Sequence, residues 1–380
     1  MRLSLLSLSL ATLLCACGAD GGGAVIAEAE ATATPDSSTR APVLDTGSLQ
    51  GAPYRIEIPA GWNGELVLFA HGYYPEGTDS RALNEANPRL QPLLEQGFAV
   101  AASAYSAQGW AVAEAQADTE RLRRWFVQQH GTPRRTWLVG ESMGGLVALA
   151  SAEQQPGAYD GVLSMCGLNT SAEEFFQQAV LPGLVAFDVL YPGVLPAGTP
   201  GEAGMPTHVP AETFEQALRG DEARARLLAR RYDTPRARLA ESLMMRYAVL
   251  GDLNRRAGGF PLDNTGYVFA GFGDDDAFNR AARRYVGDPR AMAWLRAHGT
   301  LAGDLRLPVV LQSNHDDWIV TGDYGERYAR QMREAGGGAW LTELPRVGHD
   351  HCQFVPRDFE RGLEVLRKAA VRTPAQAVAR

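Results

Sequence analysis

Ser142 lies between Gly140 and Gly144 in the run Gly140-Glu141-Ser142-Met143-Gly144, and two compact groups of ionisable side chains follow, His315-Asp316-Asp317 and His349-Asp350-His351-Cys352. A serine hydroxyl is a poor nucleophile at its free pKa. Chemistry at Ser142 therefore needs an exposed hydroxyl, a base within hydrogen-bond reach and donors for a developing oxyanion. The same His, Asp and Cys types also ligate metals, but no His-Glu-x-x-His or paired Cys-x-x-Cys motif accompanies them, so neither metal nor cofactor is expected. Asp274-Asp275-Asp276, next to Gly273, reads as a solvated turn rather than a calcium loop.

A serine with glycine on both sides suits a sharp turn, and its flanks supply one: residues 136–140 are an apolar strand and 143–152 a helix of small residues. Other strand-length runs occupy 54–59, 65–70, 98–104, 161–167, 308–312 and 340–344. Amphipathic helix-length stretches occupy 111–129, 326–335 and 356–370. This alternation predicts an α/β fold with a mostly parallel sheet. The run at 308 follows the run ending at 167 only after about 140 residues, rich in Pro and Gly and with helical stretches at 222–231 and 236–249. We read 168–305 as a mainly helical cap inserted into a core made of 40–167 and 306–380. The apolar run 180–187 would pack that cap's core or line an acyl pocket.

Gly140-Glu141-Ser142-Met143-Gly144-Gly145, between strand and helix, resembles the nucleophile elbow of the α/β-hydrolases, in which Ser is followed along the chain by Asp or Glu and then by His. The resemblance implies an α/β-hydrolase fold with Ser142 as nucleophile. It also identifies the acid: Asp316-Asp317-Trp318-Ile319-Val320 is similar to the family's Gly-x-x-Asp-x-x-Val pattern, with Asp317 aligning better than Asp316. Val347-Gly348-His349 matches the family's Gly-His turn and makes His349 the expected base. His351 is the alternative, because His351-Cys352-Gln353-Phe354 resembles the His-Cys-x-Phe of some secreted α/β-hydrolases in which that cysteine is bridged. The oxyanion hole is expected from the backbone N–H groups of Met143 and of Tyr73, the latter in the His71-Gly72-Tyr73 loop.

The N-terminus bears on location. One positive charge at Arg2 and an apolar stretch to Leu14 read as an export signal over residues 1–17, too short for a stable membrane span. Ala16-Cys17-Gly18 resembles the lipobox of bacterial lipoproteins and implies acylation of Cys17, with an ordinary cleaved signal as the alternative; either way the mature chain works outside the cytoplasm. Residues 18–39, poor in large apolar groups, read as a flexible tether. That leaves Cys166 and Cys352 in the body, either as buried thiols or as one disulfide, which an oxidising compartment favours.

With 45% hydrophobic residues the 380-residue chain can bury a large core, and its net charge of −8, without a run of like charges, argues against nucleic acid as a partner. The expected activity is extracytoplasmic hydrolysis of a carboxylic ester, on a small or polymeric substrate, by an enzyme tethered to the membrane if Cys17 is acylated. A serine peptidase on the same fold and a non-catalytic ligand-binding lipoprotein are the alternatives.

Overall fold

A computed structural model of the protein describes residues 41–372. The expected signal segment, the tether and Cys17 lie outside the described residues. Strands β1 (Val43–Leu49) and β2 (Ala52–Ile58) form a hairpin whose turn residues, Gln50 and Gly51, both have positive φ. This matches the right-handed twist of the strands. Strand β1 had no counterpart in the sequence reading. Its polar residues, Asp45, Thr46 and Ser48, suit an exposed edge and give no run of buried positions.

The remaining core elements come in alternation: β3 (Glu65–Ala70), short helices α1 (Ser80–Leu83) and α2 (Gln91–Glu95), β4 (Ala99–Ser103), α3 (Val112–His130), β5 (Arg135–Glu141), α4 (Met143–Gln154) and β6 (Gly161–Met165). Helices α5 (Ala172–Phe175), α6 (Leu181–Leu190), α7 (Ala211–Gly220), α8 (Glu222–Arg231), α9 (Leu239–Ala257), α10 (Asp275–Ala281) and α11 (Pro289–Gly299) follow before β7 (Val309–Gln312). The chain then runs through α12 (Asp323–Glu334), β8 (Leu341–Glu343) and α13 (Pro356–Arg372). The sheet order is β1-β2-β4-β3-β5-β6-β7-β8, with β1 and β2 antiparallel to their neighbours and β3 to β8 mutually parallel. This is the α/β-hydrolase fold.

Register brings the site together. Ala70 lies opposite Gly140, Glu141 opposite Met165, and Met165 opposite Gln312, so β3, β5, β6 and β7 end level with one another. The loops leaving them carry His71, Ser142, Cys166 and the 313–320 segment to one edge, the carboxyl edge where parallel sheets place their ligands. Pairing continues past the last strands, since His315 N–H donates to Gly348 O (3.0 Å) and Asp350 N–H to His315 O (2.9 Å). The two ionisable groups of the sequence are thus laid side by side.

Among the described residues the segment between β6 and β7 is helical, though not as the periodicity drew it. The stretch expected from 236 begins as a 3-10 turn behind Pro235, and α9 runs on to Ala257, where Gly258 (φ 70°) closes it. The apolar 180–187 run is buried inside this segment, with Phe187 5.1 Å from the Tyr191 ring and 5.2 Å from Phe214, so it packs a core. Asp274 caps α10 by accepting from Ala277 N–H (2.9 Å), and Asp275 accepts from Gly271 and Phe272 N–H.

Helix α4 lies against the sheet because Gly144 and Gly145 follow Met143 in its first turn. A Cβ at Gly144 would sit 2.0 Å from Ala70 O, a backbone atom of β3 that has nowhere to go. Gly144→Ala should therefore lose at least about 3 kcal/mol of stability. A thermal melt within 2 °C of wild type would contradict that packing.

Candidate active site

Ser142 turns the chain from β5 into α4 with φ 54° and ψ −124°, a conformation that a non-glycine residue holds only at a cost of about 1–3 kcal/mol. The bend leaves the serine partly exposed while Glu141 and Met143 on either side are buried. The loop after β3 comes close: a Cβ on Gly72 would lie 2.9 Å from the Ser142 Cβ. Only glycine lets that backbone pass the hydroxyl.

His351 faces Ser142, its Nε2 2.9 Å from Oγ. On the other side of the ring, Nδ1 donates to Asp317, at 2.8 Å to Oδ2 and 3.0 Å to Oδ1. A carboxylate only accepts, so this bond puts the proton on Nδ1 and leaves Nε2 free to accept from the serine. Asp317 is itself fixed, since its Oδ1 accepts from the N–H groups of Ile319 (3.0 Å) and Val320 (2.9 Å).

The geometry differs from the sequence reading at the histidine. His349 does not reach Ser142; its Nδ1 bonds to Asp316 Oδ2 (2.7 Å), and both side chains are about three-quarters exposed, at 77% and 76%. The alternative, His351, occupies the position. A left-handed turn is the reason: residues two apart share a face of an extended chain, but Asp350 (φ 71°) between the histidines and Cys352 (φ 54°) after them break the extension, so His349 and His351 face different ways.

Cys166, at the end of β6, and Cys352 form a disulfide with a Cα–Cα distance of 5.3 Å. Closing a loop of 186 residues, it stabilises by about 5 kcal/mol at most on the chain-entropy model. It also anchors the residue next to His351, whose Nε2 lies 3.3 Å from the Cys352 sulfur. Both sulfurs approach the Glu141 carboxylate, but bridged sulfurs offer no thiolate to a metal. Glu141 is buried and held by Arg89 through two bonds of 2.6 Å, a pair the sequence reading did not single out. Burial pushes its carboxyl up, against the pull of Arg89.

Tyr73 sends its hydroxyl to Asp252 of α9 (2.8 Å). Burial raises that carboxyl to about 6, although the Tyr73 bond and the charges of Arg255 and Arg256 work the other way. His71 is buried and stacked on Tyr105 at 3.9 Å, with Nδ1 donating to Gly72 O (2.7 Å). A cavity of about 340 Å³ opens between Gly72, Tyr74 and the Arg89–Glu141 pair.

The sheet topology is that of the α/β-hydrolase fold, and Ser142, His351 and Asp317 stand in line at its carboxyl edge. Residues 28–181 match a family described as "Tannase-like family of unknown function (DUF6351)". No curated protein matches the chain in sequence. Among solved structures the chain is similar to a lipase in its open form, at 16% identity and a TM-score of 0.45, covering 88% of this chain and 99% of the lipase. It is also similar to an acylaminoacyl peptidase in complex with Z-Gly-Gly-Phe-chloromethyl ketone, at 11% identity and a TM-score of 0.44, over 88% of this chain but only 42% of the peptidase's length. A third likeness is to the 2-hydroxy-6-oxo-6-phenylhexa-2,4-dienoate hydrolase of Rhodococcus sp. strain RHA1, at 12% identity and a TM-score of 0.43, over 87% of this chain and 99% of that one.

Desolvation depresses the His71 pKa to about 4, with the Gly72 and Ala104 carbonyls opposing it only in part. The folded state thus favours neutral His71. Its contribution is complete above the unfolded value near 6.5 and is lost as pH falls towards 4, on the order of 3 kcal/mol. Urea unfolding at pH 7 and pH 4 should show the wild type losing about that much more than His71→Gln over the interval. Equal losses would contradict a buried neutral ring.

Proposed function

We propose that this chain is an extracytoplasmic serine hydrolase that cleaves a carboxylic ester through an acyl-enzyme on Ser142. The observation that carries the reading is the continuous bond path from Ser142 Oγ through His351 to Asp317. In this mechanism Oγ attacks the ester carbonyl while its proton passes to His351 Nε2, and ionised Asp317 stabilises the resulting imidazolium. The proton then goes to the departing alkoxide, and water, deprotonated by the same nitrogen, releases the acid. The base in this reading is His351, not His349.

The tetrahedral oxygen is received by the backbone N–H groups of Met143 and Tyr73, which reads the close approach of Gly72 to the serine as the wall of an oxyanion hole. The cavity beside Gly72 and Tyr74 offers room for one limb of the substrate. The tannase-like family match over residues 28–181 supports a hydrolase. The helical segment 168–305 acts as a cap over the core formed by 40–167 and 306–380.

Export is supported by the disulfide, which persists in oxidising compartments. No helix among the described residues is long and apolar enough to cross a membrane. We assign residues 1–17 as the signal, Cys17 as the acylated residue and 18–39 as the tether. Labelled palmitate should enter the wild type and not Cys17→Ser; equal incorporation in both would remove the lipid-anchor assignment.

A fluorophosphonate should add its mass at Ser142. Ester turnover should fall by about 10³-fold or more in Ser142→Ala and His351→Ala, and stay within about threefold of wild type in His349→Ala. A full-rate His351→Ala enzyme, or label on another residue, would refute the assignment.

A further inference from the structure

Helix α9 touches both halves of the site. Arg238, the residue before its first turn, donates from Nη2 to Asp350 Oδ2 (2.8 Å) and lies 5.9 Å over the Trp318 ring. Asp350 uses its other oxygen twice, accepting from Trp318 Nε1 (2.5 Å) and from the backbone N–H of His351 (2.8 Å). One carboxylate therefore joins α9, the segment after Asp317 and the residue carrying the His351 ring. Asp350 has φ 71°, where an ordinary residue is strained, so its backbone needs such bonds to stay in place. Bonds from His351 N–H, Trp318 and Arg238 outweigh partial burial and hold its carboxyl below the usual range.

About 21 Å further along the helix, at 1.5 Å per residue, Asp252 receives the Tyr73 hydroxyl at 2.8 Å. Asp252 is buried and ion-paired with Arg255, which also bonds Glu76 (2.8 Å) of the same β3 loop. Arg256 adds a bond to Glu114 (2.6 Å) at the start of α3. The tyrosine whose ring α9 holds is the one whose backbone N–H was assigned to the oxyanion.

We propose that α9 is a strut of the catalytic machinery: Arg238 sets the His351 loop through Asp350, and Asp252 sets the oxyanion loop through the Tyr73 ring. This rests on the serine-hydrolase reading above. Asp350 and Asp252 are positioning residues, acting through His351 and Tyr73. The consequence is that the inserted segment is required for the chemical step and not only for enclosing substrate, because a displacement of about 1 Å at either loop costs on the order of 10²-fold in rate.

The test uses the full-length protein with Arg238→Gln, Arg238→Lys, Asp350→Asn, Tyr73→Phe and Asp252→Asn. Arg219→Gln, which breaks a 2.8 Å pair with Glu215 inside the insertion, is the control. Three quantities are read: the rate of fluorophosphonate labelling at Ser142, kcat and KM on a chromogenic ester, and the downfield proton resonance of the His351–Asp317 bond. Arg238→Gln and Asp350→Asn should lower kcat and labelling by about 10-fold or more at little-changed KM and shift that resonance, with Arg238→Lys partly restoring both. Tyr73→Phe should lower the rates similarly and leave the resonance in place. Tyr73→Phe combined with Asp252→Asn should cost no more than either alone, as expected for one shared bond. Tyr73→Phe removes a single oxygen, so it keeps that arm testable if Asp252→Asn fails to fold. Rates within twofold of wild type in folded Arg238→Gln and Tyr73→Phe, or losses confined to KM or melting temperature, overturn the proposal while labelling of wild-type Ser142 keeps the serine reading. Absence of wild-type labelling overturns both.

Discussion

A serine bent to φ 54° between a strand and a helix sets the terms for everything near it. The bend lifts the hydroxyl clear of the sheet, but the helix that follows must then start almost on top of β3. Residues at the contact have to be small, which is why Gly144 lies against Ala70 and Gly72 against Ser142 itself. The strain is tolerated because β5, in the middle of a parallel sheet, is buried from Thr136 to Glu141, so the turn cannot relax without displacing a core.

The same bend explains the polar network behind the site. Glu141, the last residue of β5, is pulled under the turn with its carboxylate out of reach of bulk water, where an unpaired charge would be costly. Arg89 meets it with two parallel bonds, and the Cys166–Cys352 bridge packs over it. From that bridge the chain reaches His351 in one residue. Ser142 and His351 are therefore held by a short covalent and ionic path rather than by loop packing alone.

Two neighbouring loops supply nearly equivalent partners, Asp316 with His349 and Asp317 with His351, yet only one pair is sheltered. Asp317 has a side chain 1% exposed and receives two backbone N–H groups, whereas the outer pair is open to solvent, where such an interaction is worth little. Burial and backbone donors distinguish them, not residue type. The helical segment between β6 and β7 adds to this order through Asp350, which bonds Arg238 at the start of α9 and adjoins His351, and through Tyr73, which bonds Asp252 of α9 and adjoins Gly72.

Much of the fold was legible in the sequence because buried parallel strands are written as unbroken apolar runs and their crossovers as periodic helices. β3, β5 and β6 and the elbow at Ser142 could be read from local pattern. Asp317 and the two cysteines could be placed by chain order relative to those strands. Strand β1 escaped because Asp45, Thr46 and Ser48 interrupt its apolar residues and none of its positions is buried. The Glu141–Arg89 pair escaped because its partners are 52 residues apart with no pattern joining them. Which of His349 and His351 faces Ser142 belonged to the tertiary structure for a definite reason. Order along the chain fixes which loop carries a histidine, but the direction of its ring depends on left-handed backbone at Asp350 and Cys352, held by a disulfide to β6 and a carboxylate shared with α9. Those contacts join segments far apart in sequence, and no local pattern encodes them.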